Sequence, residues 1–312
     1  MKKGPQQKQF NIGIKKWFIA IRPWSFPASA MPVIVIVSYI FWQWHNSEKS
    51  FSINWLNAII SLLGAMSFQA AGNVISDYFD FKYHVDRKES FGSSRVLIDK
   101  MFTPPSLLRF GIVLLTVSVF IGFFLLSHSG IHLLWIGLVG FLGTYFYYVL
   151  KYRAFGDLLI FVIFGQLIGL GTAFAMTGTL LWDALLISIP IGFLIVNILH
   201  ANNTRDILFD KKAGICTFAI LLGLHASKIQ YAILNICSYL TIVILIILDF
   251  IPTTCLSVFL TCPLAIKNIK CMSHASIEDP KQIKKLDSMS AQLVLAFSLC
   301  VAISNIIAVY LK

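Results

Sequence analysis

The chain has 312 residues, 57% of them hydrophobic and only 12% charged, with a mean hydropathy of +0.79. That is more apolar surface than one water-soluble core can hide, so an ordinary soluble domain is excluded and lipid is the expected solvent. The formal charge of +11 calls for no nucleic acid, because basic loops facing anionic lipid account for it.

Residues 1–22 read as a basic cytoplasmic tail and residues 23–312 as a single transmembrane domain. Apolar stretches of the length that crosses about 30 Å of hydrocarbon as a helix follow one another along the chain. There are nine: Pro23 to Trp42, Leu56 to Ser76, Leu107 to Ser127, Ile131 to Leu150, Leu158 to Thr177, Leu181 to Ala201, Ile229 to Leu248, Pro252 to Ile269, and Ala291 to Leu311. In the eighth, Pro252, Pro263 and Lys267 shorten the clean apolar run. The first follows basic residues without a small-residue cleavage site, so it reads as a retained helix.

The charges support that count. Of the 25 Lys and Arg, 23 fall in alternate segments between the spans, beginning with the N-terminal one. Basic residues crowd the cytoplasmic side. The expectation is an all-α polytopic membrane bundle of about nine helices, N-terminus in the cytoplasm, in the cell (inner) membrane.

Against this background the acids stand out. GNVISDYFDFKYHVD, from Gly72 to Asp86, carries three of only 14 Asp and Glu residues and opens an acid-rich loop region, 72–104, at the cytoplasmic end of the second span. HANNTRDILFDKKAG, from His200 to Gly214, opens a second such region, 200–228, at the cytoplasmic end of the sixth. If the helices continue through these stretches, Asn73, Asp77 and Asp80 share one face, and Asn202, Asp206 and Asp210 share another. Like charges so placed repel unless a cation sits between them, and carboxylates with Asn amides are hard oxygen ligands suited to Mg²⁺. A lone DxxD at a helix end is ordinarily a solvated cap. Two such clusters on one membrane face, each with an upstream Asn, point instead to a metal site.

Cations accompany both. Arg87, Lys88 and Arg95 follow the first cluster, Arg205, Lys211 and Lys212 flank the second, and Lys151 and Arg153 occupy the short loop between the fourth and fifth spans. Positive-inside topology alone explains any one of them. Carboxylate-held metal beside guanidinium and ammonium groups is nevertheless what a diphosphate requires, and its place on an apolar bundle implies a substrate with a charged head and a lipid tail.

Other features read plainly. The six cysteines form no CxxC pair and suit core packing, and His84 and His200 read as polar decoration or satisfied helix residues. Gly165, Gly169 and Gly171 read as helix-packing positions. The stretch IEDPKQIKKLD, from Ile277 to Asp287, reads as a solvated loop with a short helix after Pro280.

The pairing of an NxxxD-type motif after the second span with DxxxD after the sixth resembles the UbiA superfamily of intramembrane aromatic prenyltransferases, which are nine-helix bundles. Tyr147 to Lys151 fits that family's YxxxK element. Within it, SDYFDFKYHVD, GSSRVL from Gly92, KYRAFGDLLIFVIFGQLIGLGT from Lys151, NNTRDILFDKKAG from Asn202, and Trp17, Arg22 and Pro23 resemble the 1,4-dihydroxy-2-naphthoate polyprenyltransferase branch of menaquinone biosynthesis. Ser76 stands where the family usually has a second Asn, Asp157 where this branch has Glu, and His84-Val85 where a glycine is expected.

The resemblance implies a Mg²⁺-dependent transferase. Asn73, Asp77, Asp80, Asn202, Asp206 and Asp210 would hold the metal, and Arg87, Arg95, Lys151, Arg153, Arg205 and Lys211 would bind the diphosphate. Lys151 and the aspartates would act in catalysis, with Asp86 as a ligand or a base. The partners implied are a polyprenyl diphosphate, a dihydroxynaphthoate-like acceptor that loses CO2 to give demethylmenaquinone, and membrane lipid; nucleic acid is not among them. A 4-hydroxybenzoate acceptor is the alternative within the superfamily. A secondary transporter is the alternative outside it, although that would place ionisable groups near the midplane rather than at one interface.

Overall fold

The computed structural model describes residues 5–46, 51–83 and 94–311, with side chains described for 13–46, 51–83, 94–143, 146 and 149–311. The basic N-terminal segment is helical, α1 (Pro5–Ile21), and a single turn, Pro23–Ser25, joins it to α2 (Pro27–Asn46). Then come α3 (Trp55–Lys82), α4 (Pro104–Ser129), α5 (His132–Tyr145) and the short α6 (Tyr147–Lys151). A composite helix follows, with α7 (Gly156–Ile160) and α8 (Ile168–Thr177) joined through a π-helical segment, Phe161–Leu167. The chain continues through α9 (Asp183–Arg205), α10 (Ile207–Lys212), α11 (Phe218–Ile247), α12 (Cys262–Ser273) and α13 (Leu286–Tyr310).

Local chemistry sets the ends. Proline occupies the first turn of α4 and α12, where its missing N–H costs nothing. The Asn54 side chain accepts from Asn57 N at 3.1 Å to start α3. Gly178, at φ 67°, ends α8 in the left-handed conformation that a Cβ disfavours.

Among the described residues, eight helical stretches are long and apolar enough to cross a membrane, and His132–Gly143 is a shorter apolar one. The spans match the expected order and differ in extent. The second runs on as helix to Lys82, so Asn73, Asp77 and Asp80 lie within α3 and not in a loop. Much of 200–228 is likewise helical, since α9 ends at Arg205, α10 follows, and α11 starts at Phe218, breaks at Gly223 (φ 75°) and then runs on through the expected Ile229. The eighth span begins as a 3₁₀ helix, Thr253–Thr261, and becomes α-helical at Cys262, ahead of Pro263.

The main core gathers Val35, Ile36, Tyr39 and Ile40 of α2, Ala173 and Met176 of α8, Ile187, Ile191 and Leu194 of α9, and Val294, Phe297 and Val301 of α13. α4 turns the other way, with Phe120 and Phe123 exposed. In an apolar span that exposure marks the lipid-facing surface. Glycine sets a backbone-to-backbone crossing: a Cβ on Gly165, in the π segment, would sit 2.7 Å from the Gly192 Cα of α9. A second core of Ala20, Val74, Val96, Leu97, Phe102 and Leu107 seals α1 and the 94–102 segment onto α3 and α4.

Candidate active site

One polar stripe on α3 receives the N-terminal segment. Gln69 Nε2 donates to Ser25 O at 2.9 Å, and Asn73 Nδ2 donates to Ile21 O at 3.0 Å and Ser25 Oγ at 3.1 Å. One step further along the same face, Asp77 is 1% exposed and accepts from Arg22 Nη2 and from Ser94 Oγ. Steps of four along an α-helix put these side chains in a row, so the sequence spacing decides which face meets α1. Three residues on from Asp77, Asp80 accepts from Ser76 Oγ at 3.2 Å through Oδ2 and from the Tyr152 hydroxyl at 3.5 Å through Oδ1.

The second cluster keeps its helical spacing through a break. Asp206 has φ −96° and ψ 8°, outside helical geometry, yet its N–H donates to Asn202 O at 3.0 Å and its carbonyl accepts from Asp210 N at 2.9 Å. Arg205, 3% exposed, grips its neighbour with both arms of the guanidinium: Nε to Asp206 Oδ1 at 3.0 Å and Nη2 to Oδ2 at 2.7 Å. Burial pushes the Asp210 carboxyl up to about 7, Lys151 pulls it down, Asp206 and Asp80 push it further up, and Arg205 pulls it down. Lys151, Asp206, Asp80 and Arg205 therefore all act on Asp210, Asp80 from a motif about 130 residues away in sequence.

Tyr152 stitches the clusters together. Its hydroxyl reaches Asp80, and its carbonyl accepts from Cys216 N at 3.2 Å, beyond the end of α10. Burial, then the charge of Asp80, pushes its phenol up to about 12, against the pull of Lys151. Sequence reasoning missed this residue because it adjoins the YxxxK element without belonging to it.

Other expected residues lie elsewhere or outside the described part. Arg95 pairs with Asp99 at 3.3 Å, and Arg153 and Lys211 are exposed. Asp86 and Arg87 fall outside the described residues; Tyr147 lies in α6 and its side chain is not described. Three partners carried no sequence signal of their own role: Arg22, Ser94 and Asp287, whose Oδ2 lies 3.5 Å from Arg205 Nη1. Behind the second cluster is a buried network. His200 Nδ1 bonds Asp157 Oδ2 at 2.8 Å, His200 Nε2 bonds Ser227 O at 3.1 Å, and Asn203 and Gln230 each donate to Asp157 at 3.3 Å.

The donor set suits Mg²⁺, since every candidate ligand offers hard oxygen. The Asn202 Oδ1 atom is buried with no hydrogen-bond partner, an orphaned acceptor of the sort a cation satisfies. Among the described residues no three His, Cys, Asp or Glu side chains converge to enclose an ion.

Residues 33–289 match the model of the UbiA prenyltransferase family. The chain is 33% identical over 235 residues to the Xenopus tropicalis UbiA prenyltransferase domain-containing protein 1, a match spanning 73% of this chain and 66% of that protein. The corresponding Danio rerio protein is 31% identical over 281 residues, 87% of this chain and 80% of its own length. In structure, a UbiA homolog from Aeropyrum pernix K1 superimposes with a TM-score of 0.68 at 15% identity, covering 90% of this chain and 97% of that one. A UbiA homolog from Archaeoglobus fulgidus bound to GPP and Mg²⁺ gives 0.54 at 14% identity, covering 92% and 99%. These structural likenesses concern the fold.

Proposed function

Because the chain belongs to the UbiA prenyltransferase family, we propose that it transfers a polyprenyl group from a polyprenyl diphosphate to 1,4-dihydroxy-2-naphthoate, with loss of CO2, to give demethylmenaquinone. The observation that carries the transfer reaction is the meeting of two acid clusters with Lys151, Tyr152 and Arg205 at one end of an apolar bundle. The archaeal homolog whose structure holds GPP and Mg²⁺ supports a prenyl diphosphate as donor. The acceptor rests on the branch resemblance of SDYFDFKYHVD and NNTRDILFDKKAG.

Mg²⁺, when bound, neutralises diphosphate charge as the allylic C–O bond breaks. Asn73, Asp77, Asp80, Asn202, Asp206 and Asp210 are the residues that would hold it. Lys151 places an ammonium beside the buried acids, where a departing diphosphate gains most from fixed charge in a medium poor in water. Arg205, with Arg95, Arg153 and Lys211 nearer the surface, supplies further cations to the phosphate oxygens, and Arg87, outside the described residues, is assigned the same role. The Tyr152 hydroxyl, held as a neutral phenol by burial, can turn its one proton from Asp80 to a phosphate oxygen. The bundle interior keeps water from the allylic carbon until the electron-rich ring attacks it. Asp86 fits the role of a ligand or of a base near the acceptor. We place the reaction on the cytoplasmic face, in line with the bias of Lys and Arg to alternate segments.

The test is prenyl transfer by the purified chain in liposomes with Mg²⁺, offering 1,4-dihydroxy-2-naphthoate and 4-hydroxybenzoate separately. Demethylmenaquinone from the first ring alone is the expected result. Transfer only to 4-hydroxybenzoate would keep the chemistry and overturn the acceptor, and transfer to neither by monodisperse protein would return the transporter reading.

A further inference from the structure

We propose that Asp287, at the head of α13, is a positioning residue that receives Arg205 when a divalent cation takes the carboxylate of Asp206; this rests on the metal-site reading above. In this structure the guanidinium covers both Asp206 oxygens, at 3.0 and 2.7 Å. A carboxylate held in that fork cannot ligate a cation until the fork withdraws. Withdrawal is costly for a buried arginine, which keeps its charge and needs a carboxylate or carbonyl in place of the one it leaves.

Asp287 provides the landing place. Its Oδ2 lies 3.5 Å from Arg205 Nη1, on the arm that does not hold Asp206, and the Lys284 carbonyl lies at the same distance. The other carboxylate oxygen accepts from Ser288 N at 2.7 Å, which fixes the group in the first turn of α13. Ile283 and Leu286, 1% and 0% exposed, clamp the segment against Tyr231 and Met272. So the acidic end of IEDPKQIKKLD, which its charge marks as solvated, is pinned beside the second cluster by Ile283 and Leu286. A small rotation of the guanidinium from Asp206 towards Asp287 preserves a buried ion pair throughout, while Asp206 becomes free to bind metal.

The test uses Mn²⁺ as a paramagnetic probe, titrated by EPR into the full chain in detergent without any prenyl donor. Asp287→Asn is expected to weaken Mn²⁺ binding about tenfold, the scale seen when a partner of a metal ligand is lost, and Asp287→Glu to retain it. Adding Arg205→Gln to Asp287→Asn is expected to restore Mn²⁺ binding, because the competitor for Asp206 is gone. A residue that merely held the fold together would not be rescued by that second change. Unchanged Mn²⁺ affinity in Asp287→Asn, or no rescue in the double variant, would overturn the exchange while leaving the metal site standing. Failure of the unaltered protein to bind Mn²⁺ would overturn both. Should Asp287→Asn not fold, Arg205→Gln alone decides: tighter Mn²⁺ binding supports the exchange and weaker binding overturns it.

Discussion

His200 and Asp157 show what single residues hold together. The ring, 0% exposed, joins α9 to α7 through Asp157 and to α11 through the Ser227 carbonyl, just before Asn202 and Asp206 leave the helix end. Removing it leaves a buried carboxylate with only its two longer bonds, from Asn203 and Gln230, at a cost of about 2 kcal/mol. His200→Ala is therefore expected to lower the melting temperature in detergent clearly, while the exposed His225→Ala leaves it almost unmoved. The acid spacing at Asp77, Asp80, Asp206 and Asp210 was legible in the sequence, because steps of three and four define a helix face. The arginine on the first of them was not. Arg22 reaches Asp77 across 55 positions, and nothing local to either residue announces the other. Asp157 had stood out only as a departure from the branch's Glu, and its buried partners explain its place here.

Elements were legible as spans and less so as boundaries. Hydropathy reports the part of a helix that lipid surrounds, whereas hydrogen bonding carries α3 on to Lys82 and starts α11 at Phe218. The first stretch read as a loop is therefore helix as far as Lys82, and the second is largely helix. The glycine reading of the Leu158 to Thr177 span was sound and has a sharp consequence at Gly165, whose added Cβ would meet backbone at 2.7 Å. Gly165→Ala is expected to force that segment and α9 apart and destabilise the protein by about 1–3 kcal/mol. Gly137→Ala, with nothing within 4 Å of the added carbon, is expected to be neutral or mildly stabilising. Thermal unfolding of the two variants side by side checks both expectations.

At the scale of the molecule, the charge alternation read from sequence and the helix order agree on one arrangement. The segments after α3, α6 and α9 share a face, and the Tyr152 contacts to Asp80 and Cys216 tie them together there. Reporter fusions after Gly178 and after Gly214 are expected to report opposite sides of the membrane, with the second in the cytoplasm; equal signals from both would contradict the orientation. What neither motif could supply alone is the link between them, which runs through Tyr152, from Asp80 on α3 to the Cys216 backbone beyond α10. The central claim is that neither cluster suffices by itself. The most direct test is Mg²⁺-dependent prenyl transfer by Asp77→Asn and Asp206→Asn, each alone, beside the unaltered protein with and without EDTA. Each substitution, like EDTA, is expected to lower the rate by about 100-fold or more while the protein stays monodisperse. Full activity in either variant would contradict a shared site.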